Sequence, residues 1–96
     1  MRRLAFSGYR KPVIEERMPP GTVERMHRHA RAQQFFYILS GEAIMIYGEG
    51  RVVLKSGDGL GIRAGVPHQI RNDGGEDLRF LVTSDPSTKN DREELE

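Results

Sequence analysis

The chain has 96 residues, 36% of them apolar and 30% charged, with 15 basic and 14 acidic groups and a net charge of +1. This bounds it to one small domain and excludes a doubly wound enzyme scaffold. Cysteine is absent, so disulfides and thiolate chemistry are excluded, and any metal must be held by histidine, carboxylate or amide groups.

Residues 1–20 contain YRKPVIEERMPPG, in which Val13 and Ile14 suggest an N-terminal arm or edge strand. The segment VERMHRHAR carries His27 and His29 two positions apart. Side chains at that spacing on a strand share one face about 6.6 Å apart. Two imidazoles so placed can converge on one ion at bond lengths of about 2.0 to 2.1 Å. QQFFYILS, EAIMIYG, RVVLKS, GLGIRAG, PHQIRN and DLRFLVTS follow as short strand-like runs. Turns are expected at residues 40–42, 48–50, 56–59 and 72–77, where Gly, Asn or Asp tolerates positive φ. Eleven glycines and five prolines leave no run with sustained helical periodicity. The fold class expected is all-β, with seven or eight strands rolled into a small antiparallel β-barrel or jelly roll over residues 21–83. Residues 84–96 carry two basic and five acidic groups and read as an acidic, frayed tail.

The histidines sit in a longer pattern: Gly21, five residues, His27, one residue, His29, four residues, Gln34, six residues, Gly41. A second run has Gly57, five residues, Arg63, one residue, Gly65, two residues, His68, three residues, Asn72. Together these resemble the two motifs of the cupin superfamily, with Gln34 in the place of a glutamate and Arg63 in the place of a proline. The resemblance implies a small single-domain cupin whose metal ligands are His27, His29, His68 and Gln34, with Gly41 turning the chain into the next strand. It also implies a homodimer, to which the outward row Phe35, Tyr37 and Leu39 would contribute an apolar face.

Three neutral imidazoles and one oxygen donor can hold a divalent ion such as Fe, Mn, Zn or Ni and leave positions open for a ligand. An amide in place of a carboxylate leaves the ion's charge uncompensated, which favours anionic ligands and weakens metal retention. A set of three histidines with waters, without Gln34, stays open, as does an inward Gln33 if a bulge shifts the register. Alternation places Arg25 beside the histidine pair, Phe36 and Ile38 beside Gln34, Ile70 and Asn72 beside His68, and Phe80 with Val82 on the last strand. These residues form the expected small-molecule pocket, with Arg25 either binding a carboxylate or lying exposed at the mouth.

Two function classes remain open. One is a metal-dependent enzyme acting as a dioxygenase, isomerase or lyase; the other is a non-catalytic small-ligand-binding or sensor barrel. A barrel that has lost metal binding and serves only dimerisation is a third. The inward set contains no Asp, Glu, Tyr or Lys beside the ligands, which points away from acid–base catalysis. Interleaved charges and few stacking aromatics argue against nucleic acid. The apolar runs are too short to span a membrane as a helix, and no signal peptide is apparent near Met1, so a cytoplasmic location is expected.

Overall fold

The computed structural model describes residues 2–4, 13–86, 88 and 91–95; the rest of the expected arm and tail lies outside the described residues. The strands are β1 (Arg2–Leu4), β2 (Val13–Met18), β3 (His27–His29), β4 (Gln33–Ser40), β5 (Glu42–Tyr47), β6 (Gly50–Lys55), β7 (Gly59–Ile62), β8 (His68–Arg71), β9 (Leu78–Asp85) and β10 (Arg92–Glu94). They form two five-stranded sheets, ordered β1-β2-β9-β4-β7 and β10-β3-β8-β5-β6, and every pairing between them is antiparallel. This is the expected all-β jelly roll.

Period-two patterning decides which side chains enter the space between the sheets. On β4, Phe36 and Ile38 are buried while Phe35 and Tyr37 face solvent; on β9, Leu78, Phe80 and Val82 are buried while Arg79 is exposed. Ala43 and Met45 of β5, Leu54 of β6 and Ile70 of β8 complete the core from the opposite sheet. The turns fall where glycine was expected to supply them, with positive φ at Gly41, Gly48 and Gly57.

Two parts of the chain depart from the sequence expectation. β2 is an interior strand, flanked by β1 and β9, and its Ile14 and Met18 pack on the core. The tail departs further. Its Asp91 is buried, and the carboxylate accepts from the backbone N–H groups of Arg31 at 3.1 Å and Ala32 at 2.9 Å. Burial alone would raise this carboxyl, but those donors and the Arg31 guanidinium hold it below the usual carboxylate range. Beyond it, β10 pairs with β3, setting Arg92 opposite His29 and Glu94 opposite His27. The acidic composition that suggested a solvated end thus contains one carboxylate that satisfies the backbone of the β3–β4 turn.

Gly41 links β4 to β5 at φ +83°, and a Cβ there would lie 2.5 Å from the Asp77 carbonyl oxygen and 3.0 Å from Leu78 Cα. Gly57 has a similar φ of +91° with nothing within 4 Å of the corresponding position. Gly57→Ala therefore carries only the cost of the left-handed backbone, about 1 kcal/mol, whereas Gly41→Ala adds a clash with rigid backbone and is expected to cost about 3 kcal/mol or more. Urea denaturation of the two variants checks this, with the larger loss of midpoint expected for Gly41→Ala.

Candidate metal centre and cavity

β3 and β8 meet at one register pair, His27 opposite His68. Residues directly opposite in antiparallel strands present side chains on the same face, and His29 shares that face two residues on. The three rings therefore converge, with centroids separated by 4.4 Å (His27–His68), 5.1 Å (His27–His29) and 5.9 Å (His29–His68). All three are buried, and each offers one ring nitrogen within 4.8 Å of the other two.

Gln34 reaches this cluster from the opposite sheet. Its Oε1 lies 3.1 Å from His68 Nε2, and its Nε2 donates to Ser84 Oγ at 3.1 Å. Ser84 is its register partner on β9, so one strand pairing sets where the amide points. The tautomers follow from acceptors on the far side of two rings. His27 Nδ1 lies 2.8 Å from the Arg25 carbonyl and His68 Nδ1 lies 3.0 Å from the Val66 carbonyl. A carbonyl only accepts, so both Nδ1 atoms carry the proton and both Nε2 atoms keep their lone pairs.

This leaves a conflict at His68. Its Nε2 lone pair faces an amide oxygen, and protonating the ring is resisted because burial lowers its pKa to about 4. Turning the amide over would relieve the contact if Ser84 donated in return; a cation shared by Nε2 and Oε1 would relieve it as well. The second arrangement also employs His29, whose buried Nδ1 has no hydrogen-bond partner among the described residues. The donor set of three imidazoles and an amide oxygen therefore fits a divalent ion.

The cavity over this cluster encloses about 200 Å³ and is walled in part by His27, His29, Gln34, Phe36 and Val82. Phe36 is thus where the sequence placed it. Ile38, Ile70 and Phe80 lie instead in the buried core, and Phe80 supports the wall through a ring contact with Phe36 at 5.9 Å. Asn72 is buried on the His68 face, but its side chain is occupied by backbone: Nδ2 donates to Met18 and Glu76 carbonyls and Oδ1 accepts from Gly74. Arg25 is exposed, because strand geometry begins only at His27 and alternation cannot be extended back to it.

The guanidinium at the cavity is that of Arg92, and two carboxylates, Glu16 and Glu24, border it as well. This corrects the expectation that no acidic group lies beside the ligands. Glu24 Oε1 is 3.7 Å from His27 Nδ1, and Arg92 Nη1 is 3.7 Å from Glu24 Oε2. Burial pushes the Glu24 carboxyl up to about 7, against the pull of Arg92. A sequence signal for Glu16 existed: it lies between Ile14 and Met18 at period two, an acidic residue in an inward row. Glu24 and Arg92 had none, since one precedes its strand and the other sits in the acidic tail.

Burial lowers the pKa of all three histidines, with His27 and His29 further lowering that of His68. Without metal, the unfolded chain takes up protons near the ordinary value of 6.5 while the folded site resists them. Stability of the metal-free protein should therefore be full above about pH 6.5 and decline as the pH falls toward about 4. Histidine NMR titration of metal-free protein checks the cause: the His68 ring should remain neutral at pH 5.5, and a midpoint at 6.5 would contradict it.

Known proteins resemble this chain in sequence or in fold. An uncharacterised protein of Methanocaldococcus jannaschii is 28% identical over 90 residues, covering 94% of this chain and 72% of that protein. The oxalate-binding protein of Thermotoga maritima is 35% identical over 66 residues, 69% of this chain but only 54% of its own length. Among solved structures, an uncharacterised conserved protein with a double-stranded β-helix domain from Klebsiella pneumoniae superposes with a TM-score of 0.84 at 26% identity, covering all of this chain and 84% of that one. The cupin domain family matches residues 14–84, from the start of β2 to the end of β9, and with that match, the jelly roll and the histidine cluster the chain belongs to the cupin superfamily.

Proposed function

We propose that this cupin holds one divalent metal ion through His27, His29, His68 and Gln34 and uses it to bind a small oxygen-bearing organic molecule in the adjoining cavity. The observation that carries the reading is the convergence of three buried, neutral imidazoles, with His68 Nε2 turned toward an amide oxygen and His29 Nδ1 without a partner among the described residues. An oxalate-binding relative supports a small, oxygen-rich ligand. Bound there, the ion would act as a Lewis acid on a ligand oxygen.

The chain's own groups do the rest. The Arg25 and Val66 carbonyls orient two rings, Ser84 orients the amide, and Phe36 and Val82 limit water at the site. Glu16 and Glu24 at the cavity favour an enzyme over a passive binding barrel, because they supply the carboxylates that proton transfer in an isomerase or lyase requires. We also propose a homodimer, supported by Phe35 and Tyr37, which are 47% and 39% exposed side by side on the outer face of β4.

Elemental analysis of the purified protein should find near-stoichiometric divalent metal that is lost in a His27→Ala/His68→Ala variant; absence of metal from both, even after reconstitution, would reject the metal reading. Gln34→Glu adds a charge at the amide's position and should slow metal loss to a chelator by about tenfold or more. Unchanged or faster loss would remove Gln34 from the ligand set.

A further inference from the structure

The proposed donor set is split between the two sheets. His27, His29 and His68 stand on β3 and β8 of one sheet, and Gln34 stands on β4 of the other. Deeper between the sheets, packed side chains such as Ile38, Phe80 and Met45 set the spacing, but at the level of the histidines the interior is a cavity of about 200 Å³. Side-chain packing therefore contributes little there to the distance between the amide and the imidazoles. The chain crosses from one sheet to the other through residues 30–32, between His29 and Gln33. All three N–H groups of that crossing end on one residue. Ala30 N donates to the Asp91 carbonyl at 3.3 Å, Arg31 N to both carboxylate oxygens at 3.1 Å, and Ala32 N to Oδ2 at 2.9 Å. The Asp91 side chain is 2% exposed, and its own N–H donates to the Thr88 carbonyl at 3.0 Å, so the acceptor is itself held in place.

We infer that Asp91 is a positioning residue for the metal centre: by templating the crossing, it sets the separation between Gln34 and the three histidines. Consecutive backbone N–H groups that converge on an anion form a concave cradle, and filling the cradle favours one curvature of the chain. Here the anion comes from the segment leading into β10, and it acts on the site through the backbone. The histidines depend on it less. β3 pairs with β8 at His27 and with β10 along its length, and the His29 carbonyl accepts from Gly65 N at 2.7 Å. Gln34 is tied within its own sheet to Ile62 and Ser84, which fixes its register but not its distance from the opposite sheet. Loss of the Asp91 carboxylate should therefore leave the three imidazoles together and withdraw the amide from them. The inference rests on the metal reading above, and it gives the buried acid of the tail a role at a site to which it supplies no donor.

The test is the rate at which a chelator removes Co(II), whose visible absorbance also depends on the groups bound to it. Four proteins are compared: the unsubstituted chain, Asp91→Asn, Gln34→Ala and the double variant. The asparagine keeps the size and backbone carbonyl of Asp91 but sets an amide NH2 against the N–H groups of the crossing. Asp91→Asn should speed Co(II) loss by about tenfold or more when Gln34 is present and by less than about twofold when it is replaced by alanine. The Co(II) spectrum of Asp91→Asn should also move to that of Gln34→Ala. A general loosening of the fold would instead speed loss equally in both backgrounds. Circular dichroism checks that each variant is folded, and Asp91→Glu, which keeps the charge and moves the carboxylate by one methylene, gives the same comparison should the asparagine variant not fold. Equal acceleration in both backgrounds, no acceleration, or a double variant that takes up no Co(II) overturns the positioning role and leaves the metal reading standing. Gln34→Ala that releases Co(II) as slowly as the unsubstituted chain removes Gln34 from the donor set, and the positioning role falls with it. An unsubstituted chain that takes up no Co(II) overturns the metal reading and this inference together.

Discussion

The site depends on one register. β3 is three residues long, and its only pairing with β8 is His27 opposite His68. A slip of one residue would turn His27 and His29 to the outer face and bring Arg28 inward, since strand side chains alternate. So short a strand cannot hold its register through that contact alone. Its other edge is held by β10, and the turn after it is held by the Asp91 carboxylate at the Arg31 and Ala32 backbone. The convergence of three imidazoles is thus a product of contacts made on both sides of β3, one of them from a segment more than sixty residues away.

Much of this was legible in the chain. The alternation of Phe36 and Ile38 with Phe35 and Tyr37, and the glycine at each turn, fixed strands and inner face together, because the period of two leaves a single way to bury the apolar set. The His-x-His pair and His68 were legible because their spacing fits strand geometry and a known pattern. What escaped depends on contacts without a local period. Of the two places the sequence left open for Arg25, it takes the exposed one, since alternation does not extend through residues that are not in a strand. Asn72 has the right face but spends its polar atoms on three backbone partners, a use that composition cannot reveal. Asp91 and Arg92 sit among Lys, Asp and Glu residues, where one buried carboxylate and one cavity guanidinium look the same as their solvated neighbours.

The replacement of a carboxylate by Gln34 takes on a different meaning with the cavity in view. A neutral amide beside three imidazoles would leave the charge of an ion held there to be balanced elsewhere, and the carboxyl groups of Glu16 and Glu24 border the same cavity. Charge close to an ion lowers the affinity for a second anion at its open positions; charge on the facing wall acts on the far end of whatever binds. An acid on the wall in place of one in the ligand set would separate how tightly a metal is held from which molecules reach it.

The clasp made by Asp91 also bears on the order in which the domain is completed. As the chain is synthesised, β3 through β9 emerge and can pair before residues 91–95 exist. Until then the histidine strand has an open edge, with unpaired N–H and C=O groups beside the half-built site. Arrival of β10 covers that edge and brings Arg92 to the cavity in one step. In the nascent protein, this segment, arriving after β9, both protects the sheet from pairing with other chains and finishes the pocket.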